Sequence, residues 1–421
     1  MNTHDSFSGL GIAPNILGLL TKLGFTTPTP IQAKSIPVML QGKDMIGIAQ
    51  TGTGKTLAFG IPLIQRAVTR LPKLVVLPTR ELALQVHEAL SPIGRPLGVR
   101  STVIIGGESM SRQLSELRRH PQIIIGTPGR IVDHLQQRTL ALGNVDIVVL
   151  DEADRMLDMG FAPQLNKILA ELPTKRQTVL FSATMPEDIV RIASKHMTLP
   201  IRVEIATPGT PAANVSQEVF FIDKANKLLL LQKLLDQYHG SVLIFSRTKF
   251  AAKKIAVAVR SWRHSGAEIH SNRSLAQRKE ALAGFKSGKY RVLVATDIAA
   301  RGIDVVGIEL VLNFDLPNDP GDYVHRIGRT ARAGAVGHAI SFATPDQKRD
   351  VSDIEKLIRA VLPKSMHPDL PAPTMPAPTL RAPQQFRPHG QRGPWSPRGP
   401  RRGPPRGPSR GNFRRRSSAG H

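Results

Sequence analysis

The sequence predicts two tandem α/β domains with mainly parallel sheets, followed by a disordered basic C-terminal tail. Three observations lead there. Short apolar, β-branched runs alternate with helix-like stretches from about residue 20 to 205, the same alternation returns from about 216 to 345, and regular patterning stops near Pro363. Continuously apolar runs suit strands buried on both faces, as in a parallel sheet covered by helices on either side. Two such series in 421 residues fit two domains.

The runs of the first series are Met45–Ala49, Leu74–Leu77, Thr102–Ile105, Gln122–Ile125, Ile147–Leu150, Thr178–Phe181 and Ile201–Ile205. Those of the second are Glu218–Ile222, Val242–Phe245, Ala267–Ile269, Arg291–Val294, Leu310–Phe314 and Ala339–Phe342. Between them Ala206-Thr-Pro-Gly-Thr-Pro-Ala-Ala213 has the proline and glycine density of a linker. The expected division is therefore 1–205, a linker over 206–215, 216–365, and a tail over 366–421. Residues 371–421 hold twelve prolines, seven glycines and few large apolar side chains, too little buried surface to offset the entropy of ordering.

Composition narrows the function. There is no cysteine, which excludes disulfide frameworks and thiolate metal sites and fits a reducing, cytoplasmic setting. No apolar run approaches the ~20 residues that span a bilayer, and the first residues lack the basic and apolar regions of a signal peptide. The net charge is +25, of which the tail's eleven arginines supply +11 and the rest of the chain +14. Both parts attract a polyanion.

Ala49-Gln-Thr-Gly-Thr-Gly-Lys-Thr56 follows a strand and opens a helix, the context of a phosphate-binding loop. Gly52 and Gly54 let backbone N–H groups turn toward phosphate oxygens, and the helix N-terminus adds partial positive charge. Lys55 is placed to reach the β- and γ-phosphates and Thr56 to offer a hydroxyl to Mg²⁺; Pro62 is expected to end or kink the helix. Asp151-Glu-Ala-Asp154 follows the run Ile147–Leu150, so its acids stand at a strand end, where ligands bind in open α/β sheets. Asp151 is read as holding Mg²⁺ through water, and Glu152 as orienting and polarising the attacking water.

These segments resemble the DEAD-box RNA helicases of superfamily two, over roughly residues 5–345. Matching motifs occur in family order: Gly24-Phe25, Thr29-Pro-Ile-Gln32, Ala49–Thr56, Pro78-Thr-Arg-Glu-Leu82, Gly106-Gly107, Thr127-Pro-Gly-Arg130 and Asp151–Asp154. Ser182-Ala-Thr184, Leu243–Thr248, Ala295–Asp304 and His325–Arg332 follow. The basic, proline-interrupted tail resembles that of the bacterial RhlE-type group.

The resemblance implies two RecA-like domains and an RNA-dependent ATPase that unwinds RNA duplexes locally or remodels RNA–protein complexes. It implies that Phe25 and Gln32 meet adenine, that Thr51, Gly52, Thr53, Gly54, Lys55 and Thr56 cradle phosphates, and that Gly302 and Asp304 reach the nucleotide from the second domain. Phe7 sits at the spacing of the family's upstream aromatic. Arg329 and Arg332 correspond to arginines that touch the γ-phosphate, a role worth ~10³–10⁵ in rate in the GTPases where it is best measured. Asp154, Ser182 and Thr184 are expected to couple the ATP site to RNA.

Pro78, Thr79, Arg80, Gly107, Thr127 and Arg130 form the expected RNA surface of the first domain; Arg247, Gly266–Arg273 and Thr296 form that of the second. Such contacts to phosphate and sugar hold RNA without reading its sequence. ATP with Mg²⁺, RNA, and ribosomal or RNA-decay machinery are the implied ligands and partners, with no membrane association. Ser271, Leu275 and Ala331 depart from the family pattern. The five Arg-Gly steps of the tail, with Phe386, Trp395 and Phe413 among them, suit an RNA tether. The alternative from another class is an ATP-gated RNA clamp or scaffold with little unwinding, and a DNA translocase is a third.

Overall fold

The computed structural model describes residues 6–49, 52–67, 71–205, 215–300, 305, 307–330 and 336–371. Among them are two seven-stranded sheets. The first contains β1 (Met45–Ile48), β2 (Lys73–Val76), β3 (Ser101–Ile104), β4 (Ile123–Gly126), β5 (Ile147–Leu150), β6 (Gln177–Ser182) and β7 (Ile201–Glu204). The second contains β8 (Val215–Phe221), β9 (Ser241–Phe245), β10 (Gly266–Ile269), β11 (Val292–Ala295), β12 (Ile308–Asn313), β13 (Gly337–Ala343) and β14 (Lys364–Ser365). Every pairing is parallel.

The strand orders are β3-β4-β2-β5-β6-β1-β7 and β10-β11-β9-β12-β13-β8-β14, so the second sheet repeats the first with each strand number raised by seven. The repetition extends to local detail. After β2 the Thr79 hydroxyl accepts from Leu82 N and caps the helix Arg80–Gly94; after β9 Thr248 accepts from Ala251 N and caps Lys249–Ser261. After β3 Ser109 caps Met110–Leu117, and after β10 Ser274 caps Leu275–Lys286. Each such cap satisfies one of the otherwise orphaned N–H groups of a helix start.

Each sheet buries apolar side chains on both faces. Ile147, Val149 and Val179 enter one cluster of the first domain, while Val148, Leu150 and Leu180 enter the other. That is why the strands read as continuous apolar runs.

Three expectations are corrected. Val215 already belongs to β8, so the expected linker does not include it; residues 206–214 lie outside the described residues. Pro62 does not end its helix: Lys55–Arg66 runs through it, with Ile61, Leu63 and Ile64 buried on either side. The tail does not begin at 366: β14 pairs with β8, Lys233 Nζ lies 2.7 Å from Asp369 Oδ2, and Leu370 packs on the second domain's core. Phe7, at the spacing of the family's upstream aromatic, is buried in the first domain's core.

Candidate active site

Parallel strands send all their C-terminal ends to one edge, and strand order decides which loops become neighbours there. In the first domain β5, β6 and β1 are adjacent, so Asp151–Asp154, Ser182–Thr184 and the loop ending in Lys55-Thr56 emerge side by side. The other half of the same edge, β3-β4-β2, carries Gly106-Gly107, Thr127–Arg130 and Pro78–Arg80. Expected ATP residues and expected RNA residues thus occupy two halves of one edge.

In the ATP half, Gly52 and Gly54 have φ of 85° and 92°, the left-handed region open to glycine. Lys55 is buried; its Nζ donates to Ala49 O at 3.1 Å and stands 3.8 Å from Asp151 Oδ1. Burial pushes the Asp151 carboxyl up to about 6, against the pull of Lys55, and the neighbouring Glu152 charge pushes the same way as burial. Glu152 has φ of 52°, a left-handed conformation rare for a side chain of its size, and its N–H donates to Asp151 Oδ1 at 2.9 Å. Thr56 follows Lys55 in the first turn of the same helix.

Asp154 is held from several sides. Its Oδ2 accepts from Ala183 N at 3.1 Å, Thr184 N at 2.9 Å and Thr184 Oγ1 at 2.9 Å, and its own N–H donates to Ser182 Oγ at 3.3 Å. The structure therefore brings the three expected coupling residues into one network. Gln32 is buried, accepting from Thr29 N at 2.9 Å and donating to Gly54 O at 3.0 Å, so its amide braces the phosphate loop. Phe25 is 41% exposed.

In the RNA half, the Arg80 guanidinium lies against Gly106 and Gly107, where a Cβ on Gly107 would fall 2.4 Å from Nη1. Arg130 Nη1 donates to Glu108 O at 3.2 Å. Two expected RNA-binding arginines thus grip the loop that holds a third contact, Gly107. Beneath them buried His134 joins the helices after both loops, with Nε2 3.2 Å from Gln113 Oε1 and Nδ1 2.8 Å from Thr139 Oγ1. Thr127 is buried at the start of its helix.

The second domain repeats the plan. Arg247 follows β9, Thr296 follows β11, and His270–Arg273 follow β10. Of the expected segment Gly266–Arg273, residues 266–269 are β10 itself and buried, so only the last four stand in the loop. Arg329 lies at a seam whose lining also includes Arg155 of the first domain and Asp322 and His325 of the second. Thr51, Gly302, Asp304, Arg332 and Ala331 lie outside the described residues.

The domains meet through residues for which no interdomain role was read from the sequence. Arg155, directly after Asp154, pairs with Asp322. Helix Leu275–Lys286 presents Arg278, 2.8 Å from Glu81 Oε2, and Lys279, 3.1 Å from Glu108 Oε1. Leu275 is 8% exposed and belongs to the core cluster of the first domain, close to Gly107. Arg326 is also buried, its Nε and Nη2 donating to Asp297 at 2.5 and 2.7 Å, which fixes the turn leading to Arg329. Leu275 was visible only as a departure, and the charged pairs are too far apart in the chain to read.

Residues 29–192 match the DEAD/DEAH box helicase family model, and residues 226–334 match the helicase conserved C-terminal domain. The DEAD-box ATP-dependent RNA helicase CshA of Geobacillus kaustophilus is 44% identical over 369 residues, 87% of this chain and 79% of that protein. The S. cerevisiae Dbp5 structure bound to RNA and ADP BeF3 is 31% identical and superposes on 86% of this chain and 95% of its own with a TM-score of 0.78. The DEAD box protein from Methanococcus jannaschii is more similar in sequence, at 36%, and covers 86% of this chain and 99% of its own, yet it superposes with a TM-score of 0.50.

Proposed function

The chain belongs to the DEAD-box family of ATP-dependent RNA helicases, and from that premise we propose that it works by closing its two domains on ATP and RNA together. The observation that carries this reading is the seam: Arg329 stands beside Arg155, one residue past the Asp151–Asp154 motif, while Leu275, Arg278 and Lys279 of the second domain meet the first. The greater overlap with RNA- and ADP BeF3-bound Dbp5 than with the more similar M. jannaschii protein supports a closed arrangement.

In this reading Glu152 takes the proton of the attacking water, and Lys55 and Arg329 balance charge on the phosphates. Arg332, Gly302 and Asp304 complete the nucleotide site from the second domain. Phe25 stacks on the adenine, and Gln32 reads its edge on exchanging its bond to Gly54. Thr79, Arg80, Gly107, Thr127, Arg130, Arg247 and Thr296 hold the RNA backbone without reading sequence. Asp154, Ser182 and Thr184 relay closure to Glu152.

The donor set fits Mg²⁺. That ion takes one or two carboxylates, water and substrate phosphates rather than a full protein cage. Among the described residues no three His, Cys, Asp or Glu side chains gather to hold a metal alone, and buried Asp151 and the Thr56 hydroxyl flank the phosphate loop. When bound, Mg²⁺ supplies positive charge to the phosphate oxygens. Asp151 must be ionised to hold it, and its carboxyl keeps a proton below pH about 6. Acidification from pH 7 to pH 5 therefore removes the binding form, and the Mg²⁺ needed to saturate nucleotide binding should rise about tenfold. Titration of Mg²⁺ against bound fluorescent ATP at the two pH values checks this; an unchanged midpoint would reject Asp151 as the titrating ligand.

A short RNA duplex with a single-stranded extension tests the function. ATP-dependent release of the strand, stimulated by RNA and not by DNA, is expected. Stable ATP-held binding without release would instead favour a clamp. Action on ribosomal or RNA-decay assemblies in the cytoplasm belongs to the same proposal and is checked by co-sedimentation with ribosomes and degradation complexes.

A further inference from the structure

Phe250 is 73% exposed in the first turn of the helix Lys249–Ser261, and Val257, seven residues on and so on the same face, is 51% exposed. The helix needs no aromatic there, since lysine or alanine suits an exposed position better. Lys249, Lys253, Lys254 and Arg260 share the helix, and its thirteen residues include no acid. Lys249 Nζ stands 5.3 Å from the centre of the Phe250 ring and donates to Asn272 Oδ1 at 3.0 Å. Asn272 lies in the loop after β10, so Lys249 ties the first turn of this helix to that loop. The corresponding helix start in the first domain carries Thr79 and Arg80.

Charge selects the occupant. The tail, with eleven arginines and no acid in 371–421, is repelled by this helix, as is the same face of a second copy. A polyanion carrying flat aromatic groups satisfies both the cations and the ring, and single-stranded nucleic acid has that chemistry. The adjoining open cleft of about 1030 Å³ is a poorer place for phosphates, because Asp223, Asp315, Asp346 and Asp350 line it beside its cations. The strand is thus confined to the helix side.

We propose that Phe250 is a base-stacking platform that continues the RNA path along this helix, with Lys249 and Lys253 facing the flanking phosphates. The inference rests on the RNA-binding reading above and adds to it: a contact to a base face, tolerant of sequence, beside contacts to backbone.

The test uses the full chain with a non-hydrolysable ATP analogue and twelve-nucleotide RNAs carrying 2-aminopurine at successive positions. One position should be quenched by wild type, released in Phe250→Ala and quenched again in Phe250→Tyr. RNA affinity at fixed salt should fall about five- to hundredfold in Phe250→Ala, with kcat at saturating RNA and melting temperature unchanged. RNA with an abasic site at the responsive position should show no further loss in that variant. Equal affinity in Phe250→Ala and wild type, with RNA-stimulated ATPase intact, would overturn the platform and give this face to a protein partner. An equal loss on intact and abasic RNA would overturn stacking. Absence of RNA binding by wild type would overturn the functional reading first, and the platform with it.

Discussion

Glu152→Gln should lower RNA-stimulated ATP turnover by about 10²–10⁴-fold, the usual range for removing a general base, and abolish multiple-turnover unwinding. The substitution keeps the shape and hydrogen-bonding reach of the side chain and removes its basicity. Glu152 is buried with a left-handed backbone, φ 52°, and its N–H is tied to Asp151, so its carboxylate is aimed by the main chain. ATP and RNA affinities should stay near wild type, because Lys55, the phosphate loop and the RNA loops are untouched. Steady-state ATPase with saturating RNA, beside equilibrium binding of both ligands, makes the comparison. Unwinding that persists in purified Glu152→Gln would reject this residue as the base.

Arg278→Glu should raise the RNA concentration for half-maximal ATPase at least a hundredfold. Glu81 is buried and the Arg278 side chain is 11% exposed, 2.8 Å from it across the seam, and among the described residues neither Glu81 oxygen accepts an aligned hydrogen bond. Such a pair adds little net stability, because desolvation offsets its attraction, but an unmatched partner costs about 3–5 kcal/mol. Reversal sets two carboxylates face to face, so the cost falls on the closed form. The double reversal Glu81→Arg with Arg278→Glu should recover at least tenfold of the loss. The melting temperature of nucleotide-free protein should barely move, since separated domains leave both side chains in water. A large drop in melting temperature, or no recovery in the double variant, would show that Arg278 serves the second domain alone.

The fold was readable because strands buried on both faces leave an unbroken apolar signature, and thirteen of the runs correspond to β1–β13. β14 was missed because two residues carry no pattern, and the start of β8 because Val-Ser-Gln at 215–217 is not an apolar run. The positions of the expected ATP residues were legible for a local reason: Gly52, Gly54, Lys55, Asp151 and Glu152 lie in turns and at strand ends written in adjacent residues. Asp154 with Ser182 and Thr184 came from the family resemblance, and the structure supplies the bonds. The seam was not legible. Arg155 and Asp322 are 167 positions apart, and Lys279 and Glu108 are 171 apart. Neither periodicity nor spacing marks such partners. Gln32 shows the same limit on a smaller scale, since its bond to Gly54 depends on a helix folding back over the loop.

Under the proposed assignment, the division of the first sheet's edge into two halves has a thermodynamic consequence. A parallel sheet clad in helices is stiff, so RNA on one half cannot signal to ATP on the other by bending the strands between them. The two ligands can influence each other only by favouring the same arrangement of the domains. Their coupling is then a single free energy, and linkage makes it reciprocal: whatever factor RNA adds to the affinity for ATP, ATP must add to the affinity for RNA. Hydrolysis removes the γ-phosphate contribution to that shared quantity, and the hold on RNA weakens by the same amount.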